Sequence, residues 1–366
     1  MQFDFYMPVQ IFSGAGCVRA HAEAFRIGTR CAIITSRHAA KASGALDDVL
    51  AVLNELNIPH IQFDGVSENP LLSVCEEGGR ACAAFGADFV VGIGGGSVMD
   101  AAKAIAAFAL HPNIHGTALF NGASDASLPL ICIPTTAGTG SEVNPYAVLS
   151  LDGEQRKKTF KSPHSYAQYA FLDAAYTASL RPEYTLSTAL DAFAHCFESF
   201  VSPKSSAISE LFAVWGAQNL WETFLKIRNG IALDSDDRER LLYASCAGGF
   251  AINTTGTGFP HPLGYNLTMF HGIPHGRACG AFAAAYVDYT SKNEAGCVRI
   301  DAFCSRTGID REALRTVIPD LADVRLHLSD AEIDLFVDKV KSAGNFANNP
   351  YVISPDEMRD IYHSLF

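Results

Sequence analysis

Residues Val91-Gly92-Ile93-Gly94-Gly95-Gly96-Ser97-Val98-Met99-Asp100 leave an apolar β-type run and enter a helical pattern through consecutive glycines. Such a turn belongs between a strand and the helix that follows it. Its uncovered backbone N–H groups can approach an anion at the helix N-terminus. The segment ties the chain to a βα architecture and makes phosphate or pyrophosphate its natural guest. A merely tight turn is the alternative, because the spacing is not G-x-G-x-x-G.

The surrounding pattern agrees with that architecture. Cys31–Thr35, Phe89–Ile93 and Leu128–Ile133 read as strands. Between and after them, Gly44–Leu56, Leu71–Phe85 and Ser97–Leu110 place apolar residues at three- and four-residue steps, as helices do. Beyond about Asp173 the strand signals stop. Thr188–Val201, Ala207–Leu225, Asp236–Asn253, Gly280–Thr290, Ala331–Ala343 and Pro355–Leu365 read as helices. The expected fold is an α/β N-terminal dinucleotide-binding domain with a Rossmann-like parallel sheet, residues 1–178. An all-helical domain, residues 179–366, follows it, with a cleft between the two. The acidic run Asp234–Asp237 reads as a solvated helix start.

Composition removes several function classes. With 27 Lys+Arg against 39 Asp+Glu the net charge is −12, which disfavours nucleic acid and anionic lipid as partners. The longest apolar run, Ala278–Val287, is about half of the ~20 residues a membrane span needs. The start, Met1-Gln2-Phe3-Asp4, lacks the basic and apolar parts of a signal peptide, so a cytoplasmic protein is expected. The 10 cysteines form no Cys-x-x-Cys pair and read as buried thiols.

A second loop, Pro134-Thr135-Thr136-Ala137-Gly138-Thr139-Gly140-Ser141-Glu142, again follows a strand and gathers hydroxyls and glycines. Two such loops at the ends of neighbouring parallel strands line one crevice, which favours a nucleotide. After the strand ending at Thr35, NAD sites commonly place an acidic residue for the ribose 2′-hydroxyl. Here Ser36-Arg37-His38 stands there, with Lys41 beyond. A basic loop suits a 2′-phosphate, so NADP(H) is expected over NAD(H), a solvated basic loop being the alternative.

Asp191 and His195 are four apart in a helical stretch, so carboxylate and imidazole lie on one face about a turn apart. His261, His271 and His275 crowd into a Gly- and Pro-containing segment. An Asp with several imidazoles suits Fe(II), Zn(II), Ni(II) or Mn(II) and leaves room for a substrate oxygen.

These motifs resemble the iron-containing (group III) alcohol dehydrogenases. The resemblance rests on Gly94–Ser97 with Asp100 and Lys103, on Pro134–Glu142, and on Asp191 and His195 followed by His261 and His275. Glu68-Asn69-Pro70 and the tail Asn348–Ser354 extend it across nearly the whole chain. The resemblance implies a dehydroquinate synthase-like fold. It places Fe(2+), most naturally, on Asp191, His195, His261 and His275. It places the dinucleotide on Asn69, Gly95, Gly96, Ser97, Thr135, Thr136, Thr139 and Lys157, with Asp100 bracing the glycine loop. Homodimerisation is the family's common state.

Two departures narrow the reading. Many members carry a histidine four residues after the third ligand, where this chain has Tyr265; Tyr265 or His271 is then the candidate proton relay. Ser36, and Gly256–His261, resemble the NADP-using butanol and 1,3-propanediol dehydrogenase branch. The expected activity is reversible hydride transfer between nicotinamide C4 and a small primary alcohol or aldehyde. Phe160, Phe193, Phe197, Phe250 and Phe259 are candidates for an apolar substrate pocket. Glycerol dehydrogenase-like polyol oxidation and dehydroquinate synthase-like lyase chemistry are the nearest rivals. A non-catalytic nucleotide-binding protein is the remote one.

Overall fold

The computed structural model describes residues 3–121 and 125–365. It divides into two compact units, Tyr6–Leu180 and Arg181 onward, two residues beyond the expected boundary; the first residues through Phe5 group with the second unit. There the ring of Phe5 meets that of Phe212.

The first unit runs β1 (Gln10–Ser13), α1 (Cys17–Ala20), β2 (Cys31–Thr35), α2 (Ala39–Ala42), α3 (Ala45–Glu55), β3 (His60–Phe63), α4 (Leu72–Phe85), β4 (Phe89–Gly94), α5 (Gly96–Leu110), β5 (Leu130–Pro134), β6 (Tyr146–Leu151), β7 (Arg156–Lys161) and β8 (Tyr169–Leu172). Six strands form one parallel sheet in the order β1-β8-β5-β4-β2-β3, and β6-β7 is a separate antiparallel hairpin.

Helices on both faces explain why β2, β4 and β5 are apolar apart from Thr35: every residue in them is buried. Ala32, Ile34, Val90 and Cys132 pack with α4 and α5 residues such as Leu72, Cys75 and Ile105. The alternate positions Ile33, Val91, Ile93 and Ile131 pack with Val18, Val49, Val52 and Leu53 from α1 and α3. β1 and β3 are edge strands and only half-buried, so their sequences carry little apolar signal.

The second unit is helical among its described residues: α6 (Pro182–Val201), α7 (Ala207–Arg228), α8 (Ser235–Thr255), α9 (Pro260–His271), α10 (His275–Gly280), α11 (Ala283–Thr290), α12 (Glu294–Thr307), α13 (Arg311–Ala322), α14 (Asp330–Val340) and α15 (Pro355–His363). Proline at the first helical position starts α6, where the missing N–H costs nothing. From Ala189 to Val201 every α6 residue is buried, and α7, α8 and α10 pack around it. Asp234 does start a helix: its side chain accepts the Asp237 N–H, and Asp237 returns the bond to the Asp234 N–H. The stretch expected as one helix over Gly280–Thr290 is instead the end of α10 and the whole of α11. No helix among the described residues is long and apolar enough to cross a membrane.

Candidate metal centre and nucleotide loops

Three helices of the second unit converge on one carboxylate. Asp191 and His195 come from the buried middle of α6, His261 from the first turn of α9, and His275 from the start of α10. The α6–α10 approach is as close as main chains allow. A Cβ on Gly276 would fall inside the Ser187 carbonyl and 2.8 Å from the Asp191 nitrogen, so only glycine fits beside His275. The α9–α10 approach is also tight, since a Cβ on Gly264 would lie 3.2 Å from main-chain atoms of Ala278 and Cys279.

Asp191 Oδ1 lies 3.7 Å from His195 Nε2, 3.6 Å from His261 Nε2 and 3.7 Å from His275 Nε2. These gaps are too long for hydrogen bonds, which end near 3.2 Å. They approach the spacing of about 3.4 Å that two donors take when each is about 2.1 Å from one ion at a tetrahedral angle. Asp191 Oδ1 and His261 Nε2 are buried with no hydrogen-bond partner among the described residues. Buried polar atoms are ordinarily paired, so orphans aimed at a common point fit a divalent cation.

The electrostatics agree. Burial alone would raise the Asp191 carboxyl, but the imidazoles of His195, His275 and His261 outweigh it and hold the group well below the usual carboxylate range. Burial works against a proton on His261, while Glu198 and Asp191 outweigh it and raise the imidazole to about 10. Glu198, itself buried, lies 2.8 Å from His261 Nδ1 and also accepts the Gly258 N–H at 2.6 Å. That contact turns Nε2 toward the ligand gap, the usual role of a carboxylate behind a metal-binding histidine.

Glu198 is not among the sequence candidates, although it continues the Asp191–His195 face at the seven-residue step. The C-terminal tail adds a brace. Asn349 Oδ1 accepts the Phe259 N–H, Asn348 Nδ2 donates to the Thr257 carbonyl, and Asn345 Nδ2 donates to Thr257 Oγ1.

The sequence marks Cys279 only as a buried thiol, yet it stands at this centre. Donor atoms of Asp191, His261, His275 and Cys279 all lie within 4.8 Å of one another. The two relay candidates part company. The Tyr265 ring stacks on that of His275 at 5.3 Å between centroids. His271, ten residues and about 15 Å along α9 from His261, instead turns toward Phe336 and Glu332. Phe193, Phe197, Phe259 and Phe160 are buried, and the ring of Phe250 packs on that of Phe212.

In the first unit the strand order changes direction between β2 and β4, the position where open α/β sheets bind ligands at the carboxyl ends of their strands. Register pairs Thr35 with Ile93 and Gly94 with Pro134, so Ser36-Arg37, the glycine loop and the threonine loop leave the same edge. The two loops touch: a Cβ on Gly95 would lie 3.1 Å from the Thr136 side chain, and one on Gly96 would fall within that of Thr139. Thr135, buried, donates its N–H to the Gly94 carbonyl. Asn69, held at φ 55°, donates its N–H to Ser97 Oγ and accepts from Lys157 Nζ at 2.7 Å through Oδ1. Lys157 arrives on the β6-β7 hairpin. Ser36 is half-buried and Arg37 exposed.

Asp100 braces the threonine loop rather than the glycine loop. It accepts from Ser141 Oγ and the Val148 N–H, while the fully buried Lys103 reaches Ser141 Oγ and the Tyr146 carbonyl. Burial raises Asp100 and lowers Lys103.

Comparison with known proteins matches both halves. Residues 8–174 match the family described as iron-containing alcohol dehydrogenase, and residues 185–366 match the C-terminal part of the Fe-containing alcohol dehydrogenase family. Alcohol dehydrogenase 4 of Schizosaccharomyces pombe is 29% identical over 98% of this chain and 88% of its own length. The NADPH-dependent aldehyde reductase YqhD of Escherichia coli is 28% identical over 91% and 89%. The crystal structure of an iron-containing alcohol dehydrogenase from Thermotoga maritima superposes with a TM-score of 0.92 at 32% identity, covering 100% of this chain and 99% of that one.

The chain therefore belongs to the iron-containing alcohol dehydrogenase family, and its Rossmann-like and helical halves are that family's fold. It is a metal- and NAD(P)-dependent oxidoreductase that interconverts alcohols and aldehydes.

Proposed function

We propose that this enzyme is an NADPH-preferring reductase of small uncharged aldehydes, working reversibly on the corresponding primary alcohols with Fe(II) in its metal centre. The observation that carries the cofactor preference is Ser36-Arg37, which follows β2 beside the switch point with no carboxylate to meet a ribose 2′-hydroxyl. The guanidinium of Arg37 pairs with the 2′-phosphate. The NADPH dependence printed for YqhD supports the same assignment.

When bound, the nicotinamide carries the hydride and the divalent ion polarises the substrate oxygen. The chain's residues hold the parts. Asp191, His195, His261 and His275 hold the ion, and Glu198 fixes the ring of His261. Amides of Gly95, Gly96 and Ser97 at the start of α5 hold the pyrophosphate, with hydroxyls of Thr135, Thr136 and Thr139 beside them and Lys157 steered by Asn69. Tyr265, stacked on His275, passes the proton that the substrate oxygen gains or loses. Arg277, the cation two residues after His275, spends its guanidinium on the Ala322 and Asp323 carbonyls. That favours an uncharged substrate over the phosphate and carboxylates a lyase of this fold would bind. The family's homodimer is the assembly we assign.

The test is reduction of butanal by NADPH and by NADH under anaerobic conditions, with protein stripped of metal and resupplied with Fe(II), Zn(II) or Mn(II). Metal-dependent turnover favouring NADPH is expected. Arg37→Ala is expected to raise KM for NADPH about tenfold or more while leaving NADH unchanged, the loss of one charge-assisted contact. Equal losses for both cofactors would remove Arg37 from 2′-phosphate recognition.

A further inference from the structure

The metal centre brings together five donors, one more than a tetrahedral ion uses. Besides Asp191, His195, His261 and His275 there is Cys279, one turn after His275 on α10 and 1% exposed. Its Sγ lies 3.7 Å from His275 Nε2 and within 4.8 Å of the donor atoms of Asp191 and His261. With metal–sulfur and metal–nitrogen bonds of about 2.3 and 2.0 Å at a tetrahedral angle, two donors on one ion stand about 3.5 Å apart. Sγ also lies 3.9 Å from Nδ1 of the same ring, so it stands beside the imidazole, and a turn of the Cys279 side chain is what would carry the sulfur onto an ion held by Nε2. The two orphaned atoms, Asp191 Oδ1 and His261 Nε2, are aimed into the same space. Gly264 of α9 leaves room for the sulfur, since a Cβ there would lie 3.3 Å from Sγ.

We propose that Cys279 is a metal-selecting residue of this chain. Its sulfur adds to Asp191, His195, His261 and His275 around the divalent ion and tilts the site toward Fe(II), Co(II) and Zn(II) over Mn(II). Thiolate is a soft ligand, whereas a carboxylate with imidazoles alone spans the first-row dications with less discrimination. On coordination the S–H bond breaks heterolytically, its electron pair becomes the bond to the metal, and the proton leaves to solvent. No oxidant or reductant is involved. The inference rests on the reading of this cluster as the metal centre, and deepens it by saying which metals the chain prefers.

The experiment uses the full chain, stripped with a chelator under reducing conditions and titrated with Co(II), Zn(II) and Mn(II). Wild type is expected to develop a near-ultraviolet sulfur-to-Co(II) charge-transfer band at one equivalent, absent in both Cys279→Ser and Cys279→Ala. The ratio of Zn(II) to Mn(II) affinity is expected to fall at least tenfold in both variants. Circular dichroism checks that each variant is folded, and a defect in one alone is bypassed by the other. A wild-type protein that binds Co(II) without the band, or variants that keep the band and the ratio, would overturn the role of Cys279 and leave the metal centre standing. A wild-type protein that takes up no metal would overturn both.

Discussion

Glu142 closes the threonine loop in a place where a carboxylate is costly. It is 1% exposed, and its Oε1 has no hydrogen-bond partner among the described residues. Burial raises its pKa from 4.5 to about 7, outweighing the backbone contact and the charge of Lys103 that pull the other way. In the unfolded chain the group ionises near 4.5. Between that value and 7 the folded protein therefore holds a proton that the unfolded chain has released, so stability falls as pH rises through this window. At about 1.4 kcal/mol per unit, the full displacement removes about 3 kcal/mol by pH 8. Glu142→Gln keeps the shape and stays neutral. It should match wild type at pH 4.5 and exceed it by about 3 kcal/mol at pH 8. That difference corresponds to roughly 6–12 °C for a unit of this size. Scanning calorimetry at both pH values reads the difference directly. An advantage independent of pH, or a variant less stable at pH 8, would refute the assignment of a burial-raised carboxyl at this position.

Asp191→Ala should lose its metal completely and its turnover by at least a thousandfold while keeping its helical circular dichroism; metal analysis after gel filtration decides it. Glu198→Gln removes a charged acceptor behind His261 and should weaken metal binding about 10- to 100-fold, measured by competition with a chromogenic chelator. Gly276→Ala puts a methyl group into the Ser187 carbonyl, a main-chain obstacle that cannot rotate aside. Such overpacking should cost about 3 kcal/mol or more, visible as a lowered melting temperature and as loss of metal from any folded protein that remains.

The elements readable in advance were those whose burial leaves a periodic trace. Cys31–Thr35 is a strand over the residues its apolar run marks, because helices cover both faces. The β7 arm of the β6-β7 hairpin left no such trace: Arg156-Lys157-Lys158-Thr159-Phe160-Lys161 is mostly exposed and charged, and only Phe160 is buried. Its discovery supplies the physical reason for Lys157, which the family resemblance placed at the cofactor without an element to carry it.

The segment from Pro260 read as Gly- and Pro-containing chain rather than as helix. In α9 both prolines fall in the first turn, where no N–H is needed, and Gly264 serves the contact with α10. Asp191 and His195 stood out because four-residue spacing is local. Cys279 obeys the same spacing from His275 but went unread, since a cysteine among alanines and glycines looks like filling until the third dimension sets it beside a carboxylate. His271 shows the converse: clustering in sequence placed it with His261 and His275, and the length of α9 carried it away.

The division of labour between the two units also has a genealogical side. Every candidate nucleotide contact, from Ser36 to Lys157, lies before Leu180, and every candidate metal donor, with Glu198 and the bracing asparagines, lies after Arg181. A single crossover in the gene near codon 180 would transmit a whole metal centre or a whole nucleotide site, never a fraction of either. On the assignment proposed above, a substitution at Ser36 or Arg37 changes the cofactor choice without touching a donor of the other unit.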